Sequence, residues 1–123
     1  MTPNKILLHK KSRQLELTYG DQNYRLDAEY LRVHSPSAEV RGHHGQGGQL
    51  PFGKKQVAIT HIEAAGNYAL HIVFDDGHDS GIYTWDYLHD LCVNKETHWQ
   101  KYLDDLHQQG KSRDPDTQVV KLM

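Results

Sequence analysis

Apolar and polar residues alternate most cleanly from Tyr68 to Phe74, where Tyr68, Leu70, Ile72 and Phe74 share one parity and Ala69, His71 and Val73 the other. Period-two patterning marks a strand with one buried face, because successive side chains leave a pleated strand on opposite sides. Residues 56–64 precede this run across Gly66-Asn67, a dipeptide suited to a tight hairpin turn, so the two are predicted to pair. Asp75-Asp76-Gly77 supplies turn chemistry for a second hairpin, with residues 80–84 as its outgoing strand. Near the start, Lys5–His9 and Gln14–Tyr19 are short strand-like runs, separated by Lys10-Lys11-Ser12-Arg13 and closed by a turn over Gly20-Asp21-Gln22-Asn23.

Elsewhere the period becomes helical. Thr84 is placed to cap a helix carrying Trp85, Leu88, Leu91 and Cys92. Asn94 is placed to cap another, in which Trp99, Tyr102, Leu103 and Leu106 fall at i, i+3, i+4 and i+7. That stripe is expected to dock on the sheet. Gly110 ends the helix, and residues 111–123 read as a polar, loosely ordered tail. Asp27 is placed to cap a short helix near 28–33 bearing Tyr30, Leu31 and Val33, and Ser35-Pro36 stops it, since the residue before proline is pushed out of the helical region. Residues 42–53 hold five glycines and one proline, a long loop of the kind that is functional or mobile in compact domains. The sum is an α+β fold: a small, mainly antiparallel β-sheet domain over residues 1–110, with a short helix near 28–33 and C-terminal helices packed on the sheet.

Size agrees with a single core, because a chain of 123 residues buries only about two thirds of its unfolded surface. With 14 Lys and Arg against 16 Asp and Glu, net charge −2, the balance shows no nucleic-acid footprint. The longest apolar runs are a few residues, far short of a membrane span, and the first ten residues lack the apolar stretch of a signal peptide. A single cysteine, Cys92, excludes an internal disulfide and a cysteine-rich metal site within one chain. A cytoplasmic protein is the expectation.

The candidate chemistry centres on histidine, of which there are ten. His78 lies at a turn among Asp75, Asp76 and Asp79, where carboxylates can hold an imidazole charged or fix its tautomer, as for a general base. Turn formation alone explains Asp75, Asp76 and Gly77 equally well. His43 and His44 are adjacent in the glycine-rich loop and, with His34 or His78, offer three imidazoles to zinc or iron. His61-Ile62-Glu63 has the spacing of two ligands of a two-histidine, one-carboxylate iron site, with His71 or His78 as the third, but the chain is too small for the barrel such oxygenases use. Gly48 to Lys55 matches a phosphate-binding loop except at its end, where Lys55 replaces the hydroxyl residue, and a strand rather than a helix is expected to follow. No serine sits in a nucleophile elbow, and Cys92 falls on the apolar side of its helix, where a buried thiol is unreactive. No catalytic set emerges.

Three ordered blocks carry a resemblance: Leu31-Arg32-Val33-His34-Ser35-Pro36-Ser37-Ala38-Glu39-Val40-Arg41-Gly42-His43, Ile62-Glu63-Ala64-Ala65-Gly66-Asn67-Tyr68-Ala69, and the run from Phe74 to Leu88 through Asp76-Gly77-His78. Together they resemble the gamma-butyrobetaine hydroxylase-like N-terminal domain, in its bacterial stand-alone form, over about residues 5–92 with an extension through Trp99 to Leu103. In the two-domain hydroxylases this domain precedes a catalytic oxygenase domain, binds zinc through three cysteines and a histidine, and supports assembly. The resemblance places His78 at the zinc histidine and Ser35, Ser37 and Val40 at the cysteines, so it implies that this site does not form here. Related domains are fused to ATP-binding scaffold proteins of iron–sulfur cluster assembly. The resemblance therefore implies a non-catalytic accessory module recognising a protein partner, an iron–sulfur assembly factor first among them, through Arg41, Lys54, Lys55, Asp76 and Asp79. A histidine-dependent protein binding zinc or iron, or a small metalloenzyme, is the alternative, and a homodimer the third expectation.

Overall fold

The computed structural model describes residues 1–37, 40, 42–43, 46–120 and 122, without the side chains of 42, 43, 46 and 47. Strand β1 (Lys5–His9) pairs antiparallel with β2 (Gln14–Tyr19), and β2 with β3 (Gln22–Asp27). The third strand departs from the sequence expectation, which read residues 20–23 as a turn. Tyr19 pairs directly with Gln22, so Gly20 and Asp21 alone make the bend, with Gly20 in the left-handed region at φ 60°. The segment is polar at Gln22, Asn23 and Arg25, and its strand character comes from pairing with β2 rather than from an apolar run.

Helix α1 (Ala28–Val33) follows at once, and all of its residues are buried. Asp27 is its N-cap by position, yet its carboxylate accepts from Gln14 Nε2 at 3.0 Å and makes no cap hydrogen bond. A two-residue pair, β4 (Gly42–His43) with β5 (Gln46–Gly47), interrupts the glycine-rich loop. The second three-stranded sheet orders β6 (Ile59–Ala65), β7 (Ala69–Phe74) and β8 (Gly81–Thr84). Leu70, Ile72 and Phe74 are buried as the alternation predicts, whereas Tyr68 lies in the turn and is exposed. Strand β6 starts later than predicted because Val57 N donates to the Lys54 carbonyl, a turn that consumes residues 54–57.

Helix α2 (Trp85–Val93) is capped as expected, with Tyr87 N donating to Thr84 Oγ1 at 3.2 Å. Asn94 stands at the N-cap of α3 (Lys95–Gln109) without capping it; its amide donates to Asp90 instead. Gly110, at φ 64°, terminates α3 in the left-handed geometry that favours glycine. The main core joins Leu15, Leu17 and Leu26 of the first sheet to Leu31, Ile72, Phe74, Tyr83, Leu88 and Leu91. Tyr102 and Leu106 of α3 form a second cluster with Val33, flanked by Leu50, Trp99 and Leu103, so the α3 stripe meets the end of α1 and the glycine-rich loop. Among the described residues, no helix is long and apolar enough to cross a membrane.

Residues 112–114 correct the expectation of a loose tail. Gly53 N donates to the Ser112 carbonyl and Lys55 N to that of Arg113, so the backbone here is tied to the loop. Arg113 then reaches the buried Glu29. Sequence composition registers only the polarity of this segment, not the buried carboxylate waiting for it.

Candidate functional site

The turn between β7 and β8, the end of α1 and the loop before β6 meet at one corner. Phe74 N donates to the His78 carbonyl at 2.9 Å to close the turn, and Gly77 adopts φ 89°, a conformation costly for other residues. Asp75 has a structural task, accepting from Ala58 N at 3.0 Å while its own N–H donates to the Ala58 carbonyl. Asp76 accepts from Arg32 Nε at 2.8 Å and Lys54 Nζ at 2.5 Å, with the His78 N–H donating to its other oxygen. Its side chain is 19% exposed. Burial there works against ionisation, but the hydrogen bonds from Lys54 and Arg32 outweigh it and hold the carboxyl at about 2.

His78 turns inward from the same corner and is 5% exposed. Its Nε2 shares a hydrogen bond with Ser35 Oγ at 2.8 Å and lies 3.4 Å from Ser37 Oγ. Close approach requires Gly81: a Cβ there would lie 2.9 Å from the Tyr83 ring and 3.3 Å from Ser35 Oγ. The structure thus brings together His78, Ser35 and Ser37, the positions that the resemblance aligns with zinc ligands. This donor set does not fit zinc, because neutral hydroxyls are poor ligands and here they share hydrogen bonds with the imidazole. Among the described residues, no group of three His, Cys, Asp or Glu is arranged to hold a metal.

The other predicted residues are dispersed. His34 belongs to a different cluster, its Nδ1 sharing a hydrogen bond with the Tyr30 carbonyl at 2.8 Å and its ring packing near Tyr30, His98 and Tyr102. Burial pushes its imidazole below the ordinary range, against the Tyr30 hydrogen bond. The side chain of His43 and all of His44 and Arg41 lie outside the described residues. Glu63 does sit between His61, at 3.6 Å, and His71, at 3.3 Å, but on an exposed face, and His71 Nε2 is engaged with the Asp79 carbonyl at 2.5 Å. Lys55 and the residue Asp79 are exposed. Cys92 is buried, and that burial pushes its thiol up to about 11, consistent with an unreactive group.

Two cavities flank α1. One, of about 280 Å³, is lined by Arg32, Val40, Gln49, Leu50, Pro51, Phe52 and Lys54. The other, of about 230 Å³, has Arg13, Asp27, Glu29, Lys55 and Arg113 in its walls. Sequence reasoning singles out neither Arg32 nor Glu29. Their only signal is a pair of opposite charges three apart in a helix otherwise made of apolar residues, which a solvated i, i+3 pair would show equally.

Comparisons with known proteins agree with this architecture. The family model for gamma-butyrobetaine hydroxylase-like, N-terminal, matches residues 6–89, and the chain belongs to that family. An NMR solution structure with 55% identity covers 99% of this chain and 97% of its own, with a TM-score of 0.84. A second NMR structure, 44% identical, covers 99% of this chain and 92% of its own at a TM-score of 0.77. A crystal structure of a protein of unknown function from Acidithiobacillus ferrooxidans, of the DUF971 family, is 35% identical over 73% of this chain and 91% of its own, with a TM-score of 0.61. No curated protein matches the chain.

Proposed function

We propose that this domain is a non-catalytic, cytoplasmic accessory module that binds a protein partner through the surface shared by the glycine-rich loop and the His78 turn. The carrying observation is the Arg32–Asp76–Lys54 linkage, which fastens loop, helix and turn into one surface. Phe52, 50% exposed, stands on the loop with the exposed Lys55 three residues on, and the exposed Asp79 follows His78 in the turn. An exposed aromatic with flanking charges on a fastened loop suits an interface anchor with a polar rim. The family resemblance directs the search first to factors of iron–sulfur cluster assembly.

The test is affinity capture from the native cytoplasm with wild-type protein and a Phe52→Asp, Lys55→Glu variant whose fold is checked by circular dichroism. A specific partner retained by wild type and lost by the variant supports the reading; no partner, or unchanged capture, overturns it. The alternative, a histidine-dependent metal protein, requires stoichiometric zinc or iron in untagged protein and its loss in His78→Ala. That result would replace the accessory reading.

A further inference from the structure

Arg32 is only 9% exposed, and its guanidinium is incompletely used. Nε donates to Asp76, but Nη1 is buried with no hydrogen-bond partner among the described residues. A buried cationic donor without an acceptor is costly, so such a group ordinarily marks a place where something else supplies one. Arg32 also lines the cavity of about 280 Å³.

The charge around that cavity is unbalanced. Among the described residues, Arg32 and Lys54 share the single carboxylate of Asp76, which leaves one positive charge over. Lys111 adds a further cation, its Nζ 4.7 Å from the centre of the Phe52 ring. The remaining described walls are Val40, Leu50, Pro51 and Phe52, with Gln49 the one other polar side chain among the described residues. These walls are well supported: Leu50 packs beside the Tyr102 and Leu106 cluster, and Tyr102 Oη donates to the Pro51 carbonyl at 2.8 Å.

We propose that this cavity binds a small organic carboxylate with an apolar body, the carboxylate accepting from Arg32 Nη1 and lying beside Lys54 while its carbon chain rests on Leu50, Pro51 and Phe52. A guanidinium fork matches the planar geometry of a carboxylate. Inorganic phosphate would set a dianion against apolar walls that give it nothing. The volume suits a compact acid rather than a nucleotide, being near the lower limit of ordinary ligand pockets, about 300 Å³. Gln49, exposed, stands at the edge of the same cavity. The inference does not depend on the protein-partner reading, since a cavity can hold a small acid whether or not its outer rim docks a protein.

The experiment is an NMR titration of the ¹⁵N-labelled full chain with 4-methylpentanoate, using 4-methylpentan-1-ol and inorganic phosphate as parallel probes. Saturable shifts at Arg32 Nε–H and at the amides of Leu50, Phe52 and Lys54 are expected with the carboxylate, and far weaker ones with the alcohol or phosphate. Arg32→Met should abolish them, and Lys54→Met, which keeps the Arg32–Asp76 pair, should weaken the carboxylate by roughly tenfold, the loss of one charge-assisted contact. If Arg32→Met fails to fold, Lys54→Met decides. Non-saturating shifts, equal response to the alcohol, tighter phosphate binding, or unchanged affinity in Lys54→Met would each overturn the proposal.

Discussion

Helix α1 buries two opposite charges three residues apart, and they are treated very differently. Glu29 receives both arms of Arg113, from Nε and Nη2 at 2.7 Å each, and the guanidinium is further held 5.0 Å from the Trp99 ring centre. Both carboxylate oxygens have a donor. Arg32 has one arm on Asp76, shares that carboxylate with Lys54, and leaves Nη1 unpaired among the described residues. Burial alone therefore does not say what a charged residue is for. A buried charge with every atom answered is a clamp, while one with capacity left over, beside a cavity, is a place for another molecule.

The sharpest way to break this contrast is to remove the partner of Glu29. Arg113→Met leaves a buried carboxylate unpaired and should cost about 3 kcal/mol, at the low end for a broken buried pair because Arg113 is itself 37% exposed. Urea denaturation reads the loss, and Glu29→Gln in the same background should restore part of it. No recovery would mean that Arg113 acts through its contact with Trp99.

Acid should act on the Arg32 side. The Asp76 carboxyl sits at about 2 in the folded protein, below its unfolded value of about 4, so its stabilisation is present above pH about 4 and is lost as pH falls from there toward 2. Thermal melts across that window should fall more steeply for wild type than for Asp76→Asn. Parallel curves would show that the linkage to Arg32 and Lys54 contributes nothing.

The smallest effect is expected at Arg32 itself. Arg32→Met removes a hydrogen bond to Asp76 but leaves Lys54 there and deletes an unpaired donor, so it should cost only about 1 to 2 kcal/mol by denaturation. A cost equal to that of Arg113→Met would erase the difference between the two charges.

Much of this molecule is legible in its pattern of residues. Leu70, Ile72 and Phe74 announce a half-buried strand, Thr84 caps α2, and the Trp99 to Leu106 stripe marks the apolar side of α3, because each depends on neighbours a few residues away. The family was legible too, in three ordered blocks. Strand β3 was not, since its polar residues become a strand only when β2 supplies the partner. Asp27 and Asn94 have cap chemistry and stand at caps, yet each spends its side chain on another residue, Gln14 and Asp90, that competes successfully for it.

The candidate site divides along the same line. Which donors exist is written in the order of residues: a histidine at the turn, serines where the resemblance has cysteines, a lysine pair ending the loop. Their partners come from the folded chain, because His78 meets Ser35 across 43 residues, Lys54 meets Asp76 across 22 and Arg113 meets Glu29 across 84. Local chemistry fixes what a side chain is able to do, and long-range packing, by choosing its partners and excluding water, leaves Glu29 satisfied and Arg32 with a donor to spare.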